Sequence, residues 1–431
     1  MVSYLEENKL DIVYGNPWPA NLLSNMWPHK FEIGGLSYTC MEAFIQSLKF
    51  QNEEDARRIS KLYNFEARKE GQKGNGWKKD QILYWNGIEL ERESQNYNDI
   101  VYCAFEHLYD QNFLFRLGLK LTGTVGFDHS VGLDDPKNTV LTRQEFADFL
   151  YRLREKLHMT NYNWKDDFNK LASECVVLDT ETTDIDVNAA EVIEIAYTTK
   201  FDTDTCDVTV NRFRPIRPIP PEASAIHHIT MRMVKNEPTF SQSISNIENI
   251  TLQKPKYYIA HNSDYDKKVL VASCKRDGVD SLAQEFEDTK WICTWRLAKA
   301  ILGVDYSKFQ YNLSYLRYAL HLNVSDDLGA HDGYSDVTVC AKLFETLVEL
   351  AYMDKKIYPG QDLGEQLYNL CWAPKKVETW PFGKYKGQKL DAIPTDFYIW
   401  AIENIDLLKE DHEKYDIDLA SSVGNILESR M

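Results

Sequence analysis

The chain has 431 residues, 43% hydrophobic and 13% aromatic, enough for several cores, and a prior of ~150 residues per domain suggests about three. A net charge of −17 excludes a general nucleic-acid coating protein, but not an enzyme with a local basic groove. No stretch approaches the ~20 apolar residues of a membrane span, and the opening MVSYLEENKLDIVYG lacks a leader's basic and apolar pattern, so no membrane partner is expected. The eight cysteines are scattered without a CxxC pair; reduced, buried thiols and a cytoplasmic setting are expected, not a disulfide framework or a zinc knuckle.

Residues 1–158 read as a mixed, mostly α (α+β) unit. In LLSNMWPHKFEIGGLSYTCMEAFIQSLKF (22–50), strand–turn–strand with Gly34-Gly35 at the turn leads into a helix from near Cys40. On that helix Glu42, Gln46 and Lys49 fall at i, i+4 and i+7, one polar face, which an ordinary solvated helix also shows. FIQSLKFQNEEDARRISKL, DIVYCAFEHLYDQNFLFRLGLKL and RQEFADFLYRLREKL carry helical spacing. TNYNWKDDFNK (160–170) reads as a polar linker.

From 172 to 353 strands alternate with helices, which predicts an α/β sheet. CVVLDTETTD (175–184) runs an apolar, two-sided strand into Asp179 and Glu181, which alternation puts on one side. Like charges there repel, and a divalent metal is the usual answer. YYIAHNSDYDKKVL (257–270) is a strand breaking at His261-Asn262 before a helix with Asp266; AHDGYSDVTVCAKLF (330–344) is a loop with His331 before a helix with Asp336. Four carboxylates, Asp179, Glu181, Asp266 and Asp336, suffice for two Mg²⁺ or Mn²⁺ ions, and two ions can clamp a phosphodiester. Histidine is the side chain that ordinarily changes charge near neutrality, which makes His331 the candidate base; Gly333 leaves room for close backbone approach. Asn262 is read as a hydrogen-bonding group near the site or as a turn residue, His227 and His228 as shaping a substrate-side loop, and Glu194 as a strand residue.

KKIYPGQDLGEQLYNLCWAPKK (355–376) reads as a link to a short module at 376–431, too small for much of a core. Its PFGKYKGQKL alternates Lys384, Lys386 and Lys389 with aromatics; lysines neutralise phosphates and rings stack on bases, though an ordinary β-hairpin with exposed lysines also fits.

The three acidic stretches resemble the motifs of the DEDDh 3′→5′ exonucleases, the superfamily of the proofreading ε subunit of bacterial DNA polymerase III. Asp179-Thr180-Glu181-Thr182-Thr183 matches DxExT; HNSDYD has Tyr265 where Phe is usual; HDGYSD has Gly333 for Ala. IPPEASAIHHIT and QYNLSYLRYAL also resemble family segments, in order, over about 180 residues. The resemblance implies an RNase H-like domain with a mixed sheet, and a phosphodiester hydrolase acting on DNA or RNA. FGKYKG with Pro394, Tyr398 and Trp400 resembles the C-terminal domain of exodeoxyribonuclease X-like proteins, which implies a DNA-holding module.

Ser24, Asn25, Pro28, Gly35, Tyr38, Glu42, Gln46, Lys49 and Phe50 resemble the pattern of the NADAR superfamily, whose members cleave N-glycosidic bonds in riboflavin-pathway intermediates or in ADP-ribose on guanine. The family's essential glutamate falls on Glu42, with Asn25 and Lys49 as substrate-side residues. HSVGLDD stands where a WGDG-like motif is usual, and Trp77 and Trp85 are candidates for the pocket. An ADP-ribose-type ligand is implied, either cleaved or only sensed.

Overall fold

The computed structural model describes residues 5–6, 9–158, 163–202, 206–304, 308–410 and 415–430. They form two compact units, Met1–Gly364 and Glu365–Met431.

In the first unit, strands β1 (Phe31–Ile33) and β2 (Leu36–Tyr38) pair antiparallel about the Gly34-Gly35 turn, where both glycines have positive φ. The hairpin delivers the chain to α1 (Met41–Ser47), whose buried face includes Met41, Phe44 and Ile45. Phe31, Tyr38 and Phe44 pack ring to ring at 5.2–6.2 Å. A second helix, α2 (Asn64–Gly71), lies against α1. Gly71 makes that approach possible, because a Cβ there would stand 2.0 Å from Gln46 Oε1. The expected long helices are interrupted: α1 ends at Ser47, and Asn112 separates α3 (Gln95–Gln111) from α4 (Phe113–Leu121). The last expected helix is α5 (Arg143–His158). Of the two tryptophans read as pocket candidates, Trp77 is buried in the N-terminal core, while Trp85 packs against that core and also lines a small pocket with Leu36, Tyr38 and Tyr84.

The stretch read as a linker holds helix α6 (Trp164–Ala172), and residues 160–162 of it lie outside the described ones. Phe168 and Leu171 bury its apolar face, with Phe168 against Phe201 and Phe344. Truncating such a ring costs ~3–5 kcal/mol, so the segment is part of the fold it precedes.

The expected mixed sheet has five strands: β3 (Cys175–Thr182), β4 (Val192–Thr198), β5 (Thr209–Arg212), β6 (Tyr257–Ala260) and β7 (Lys290–Cys293), in the order β5-β4-β3-β6-β7. β4 runs antiparallel to both its neighbours, while β3, β6 and β7 run parallel. β3 is apolar and buried from Cys175 to Leu178 because helices cover both faces; α7 (Ser263–Arg276) follows β6, and α8 (Gly333–Met353) packs on β3 and β4. This brings the three acidic motifs to the carboxyl ends of neighbouring parallel strands and the start of α8.

The C-terminal part of α8 meets the N-terminal helices. Arg116 on α4 pairs with Asp354 at 2.9 Å and Lys120 with Glu349 at 2.7 Å. Trp18 Nε1 donates to Ala319 O at 2.8 Å, and its ring lies 4.9 Å from Phe309.

The second unit corrects two expectations. The presumed link contains helix α9 (Leu363–Trp372), and the tail has its own core of Trp380, Leu390, Ile393, Tyr398, Leu419 and Val423. Helices α10 (Thr395–Asn404) and α11 (Ile417–Arg430) supply much of it. PFGKYKGQKL is a 3₁₀ turn with one antiparallel bridge, Thr379 to Lys389, instead of a hairpin. Six of the eight cysteines are buried: 40, 175, 274, 293, 340 and 371. No helix among the described residues is long and apolar enough to cross a membrane.

Candidate active site

Strand alternation puts Asp179 and Glu181 on one side of β3, and the Asp332 N-cap of α8, whose carboxylate accepts from Ser335 N–H, sets the turn that presents Asp336. Asp179, Glu181 and Asp336 offer carboxylate oxygens all within 4.8 Å of one another. Asp266 joins from α7, buried, with its Oδ1 accepting from Thr180 N–H at 3.1 Å and Thr180 Oγ1 at 2.7 Å. Thr180, the residue between the two strand acids, thus fixes the second motif to the first.

Burial followed by the neighbouring carboxylates, Asp266 first, holds Asp179 well above the usual carboxylate range. Burial and then Asp336 push Glu181 up to about 8. Burial lifts Asp266 to about 7 against the Thr180 hydrogen bonds, and Asp336 to about 6 against nearby His331. Adjacent anions that resist ionisation together are the signature of a site that lacks its counter-charge. An all-oxygen donor set of this kind fits hard divalent cations such as Mg²⁺ or Mn²⁺.

His331 is exposed and has a left-handed φ of 57°; its N–H donates to Asp336 Oδ2 at 3.1 Å, so the candidate base is tied to a candidate ligand. Asn262 is also left-handed, φ 75°, at the N-cap of α7, with an exposed side chain; the turn role is the one its backbone displays. His261 sits half-buried between Thr294 Oγ1 and Tyr311 O, and desolvation holds it down at about 4.

Tyr265 explains one departure from the family pattern. Its hydroxyl lies 2.5 Å from Thr182 Oγ1 and donates to Asp184 O at 2.6 Å, bracing the chain after Glu181. A cleft of about 400 Å³ opens there, lined by Glu181, Thr182, Ile185, Ile226, His227 and Tyr265. Ile185 and Ile226 are 87% and 53% exposed, so the cleft has an apolar rim beside the carboxylates. His227 is buried in its wall, its Nδ1 accepting from Ile229 N–H.

Glu194, read as a strand residue, is buried beside this site and pairs with Arg212 at 2.7 Å; sequence reasoning missed both. A lone acid within the apolar VIEIAY was the available signal, since a buried charge needs a partner.

A separate group centres on Glu42. Its backbone N–H donates to Asn25 O at 2.7 Å, and Gln46 Nε2 donates to Glu42 Oε1 at 2.9 Å. Burial raises the Glu42 carboxyl, opposed by Gln46, Arg68 and Lys49. Burial lowers the Lys49 ammonium to about 8, and Lys49 Nζ donates to Asn75 Oδ1 at 3.3 Å. The i, i+4, i+7 face is therefore turned inward, and Arg68 is an addition that sequence spacing did not reveal.

In the tail, Lys384, Lys386 and Lys389 are exposed. Tyr398 is core, donating its hydroxyl to Leu390 O, while Trp400 is 52% exposed and leans on Phe397.

Residues 176–344 match the family described as Exonuclease, and residues 17–155 the one described as Bacteriophage protein GP30.3. Exodeoxyribonuclease 10 of Escherichia coli K12 is 26% identical over 234 residues, 53% of this chain and 91% of that protein. DNA polymerase III subunit epsilon of Treponema pallidum is 31% identical over 177 residues, 39% of this chain and 74% of its own. An uncharacterized 17.1 kDa protein from the Gp30-rIII intergenic region of Enterobacteria phage T4 is 30% identical over 151 residues, 35% of this chain and 99% of that protein.

Proposed function

The chain belongs to the exonuclease family through residues 176–344 and to the bacteriophage GP30.3 family through residues 17–155, and from that premise we propose a 3′→5′ exonuclease of the DEDDh type that hydrolyses DNA in a cytoplasmic setting. The observation that carries it is the meeting of Asp179, Glu181 and Asp336 within 4.8 Å, with Asp266 alongside. These four residues would hold two divalent cations, which when bound polarise the scissile phosphate and lower the pKa of water. His331 takes the proton of the attacking water, and the hydrogen bond from its backbone N–H to the Asp336 carboxylate holds it beside the cluster. The apolar cleft by Ile185 and Ile226 receives the terminal base, and Tyr265 keeps its wall in place.

DNA is favoured over short RNA by the similarity to exodeoxyribonuclease 10, whose name states a DNA substrate. The exposed Lys384, Lys386 and Lys389 fit a phosphate-holding module. The deciding experiment offers labelled DNA and RNA strands with magnesium; degradation from the 3′ end of DNA supports the reading, and RNA-only degradation replaces it with an exoribonuclease.

For the N-terminal part, the reading is a NADAR-type N-glycosidase that releases ADP-ribose from modified guanine, with Glu42 as the acid that stabilises an oxocarbenium-like centre or activates water. Its support is the half-buried Glu42 with Gln46 on it and Lys49 and Arg68 nearby. Adding ADP-ribosylated guanine to the same strands tests it: binding without release makes the domain a sensor.

A further inference from the structure

Glu181, Glu194 and Arg212 stand in one row across three strands. Glu181 faces Glu194 in register across β3 and β4, and Glu194 faces Arg212 across β4 and β5. Residues opposite one another in this way share a face of the sheet. Glu194 is 1% exposed, and Arg212 Nε donates to its Oε2 at 2.7 Å. The Arg212 side chain keeps 35% exposure, so water screens its charge more than that of its partner. The other oxygen, Oε1, lies against the first residue of α8: a Cβ on Gly333 would stand 2.5 Å from it and 2.8 Å from Ala196 Cβ. Gly333 lies between His331 and Asp336, and the glycine that replaces the usual alanine there lets the helix start close over Glu194.

We propose that Glu194 and Arg212 form a charge pair that sets how tightly the Asp179–Glu181–Asp336 cluster holds a divalent cation, with neither side chain touching the ion. The inference rests on the metal reading above. A buried anion deepens the negative potential at the cluster, and the cation paired with it limits the effect. The register of β3 with β4 sets Glu194 directly opposite Glu181, so its charge stands beside the cluster. Glu194 and Arg212 are thus positioning residues, and their substitution separates the two signs of charge.

The test is Mn²⁺ binding to the full chain by calorimetry, with the melting temperature of each metal-free variant recorded. Glu194→Gln keeps the shape and removes the negative charge; it should weaken Mn²⁺ binding roughly three- to tenfold. Arg212→Gln exposes the cluster to the full charge of Glu194 and should tighten binding roughly threefold, while Arg212→Lys should stay at the wild-type value. A merely structural pair would weaken binding in both glutamine variants alike. That outcome, or no shift in either, overturns the proposal. If Glu194→Gln fails to fold, the Arg212→Gln and Arg212→Lys pair decides the sign alone. Failure of the wild type to bind Mn²⁺ removes the metal reading itself, whereas wild-type binding with unshifted variants removes only the role of the pair.

Discussion

Glu42 and Asp179 are both half-buried acids whose carboxyls are raised by loss of water around them, yet their neighbours differ in sign. Around Glu42 stand Gln46, Arg68 and Lys49, which all favour its ionised form. Around Asp179 stand Asp266, Glu181, Asp336 and Glu194, which all oppose it. The first site is balanced by its own side chains and has no call for a metal. The second accumulates charge that Arg212, paired with Glu194, offsets only in part, and it calls for cations from outside. One carboxylate amid cations suits proton and oxocarbenium chemistry; several carboxylates together suit phosphoryl chemistry.

The contrast can be broken most sharply at Asp179. Asp179→Ala should bring nucleolysis in magnesium below detection with the fold retained, while release of ADP-ribose continues; near-full nuclease activity in this variant would remove the site. His331→Ala comes next, with an expected loss of about 10²–10⁴-fold in nucleolytic rate and unchanged Mn²⁺ binding. If the acidic limb of the pH–rate profile survives that substitution, His331 is not the base. Glu42→Gln should lower ADP-ribose release by at least about 10²-fold and leave the nuclease untouched. Coupled loss of both activities would show that the two sites are not independent.

The smallest expected effect is on stability. Asp336, Asp266 and Glu181 sit at about 6, 7 and 8 in the folded chain, above their ordinary values of 3.8, 3.8 and 4.5. Raised acids contribute stability that is fully present below the unfolded values and is lost as pH rises through the folded ones. The metal-free protein should therefore melt lower at pH 8.5 than at pH 5.5, and magnesium should recover roughly 2–6 °C at the higher pH and little at the lower. A magnesium effect equal at both pH values would contradict the origin assigned to these shifts.

Much of the nuclease site was legible because each acid sits within a few residues of a strand end or helix start, where local pattern decides direction. Asp179 and Glu181 needed only alternation along β3, and Asp336 needed only the capped turn of α8. Arg212 was hidden because its meeting with Glu194 depends on the register of β4 with β5, which no local spacing encodes. Arg68 was hidden for a similar reason: its helix reaches Glu42 only because Gly71 lets α2 close on α1. Helix α6 was misread although Trp164, Phe168 and Leu171 have helical spacing, since the polar residues between them outnumber the apolar ones. The tail's core escaped because Trp380, Leu390 and Ile393 lie in turns with no period to detect.

Helix α8 carries Asp336 in its first turn, and its far end is gripped by Arg116 and Lys120 through Asp354 and Glu349. Whoever tries to express the two family segments as separate proteins inherits a consequence of that grip. The nuclease half would present Glu349 without Lys120 and Asp354 with Lys356 but without Arg116, together with the Phe309 ring that Trp18 now covers. Swapping in a foreign N-terminal segment would ask the newcomer to supply those partners.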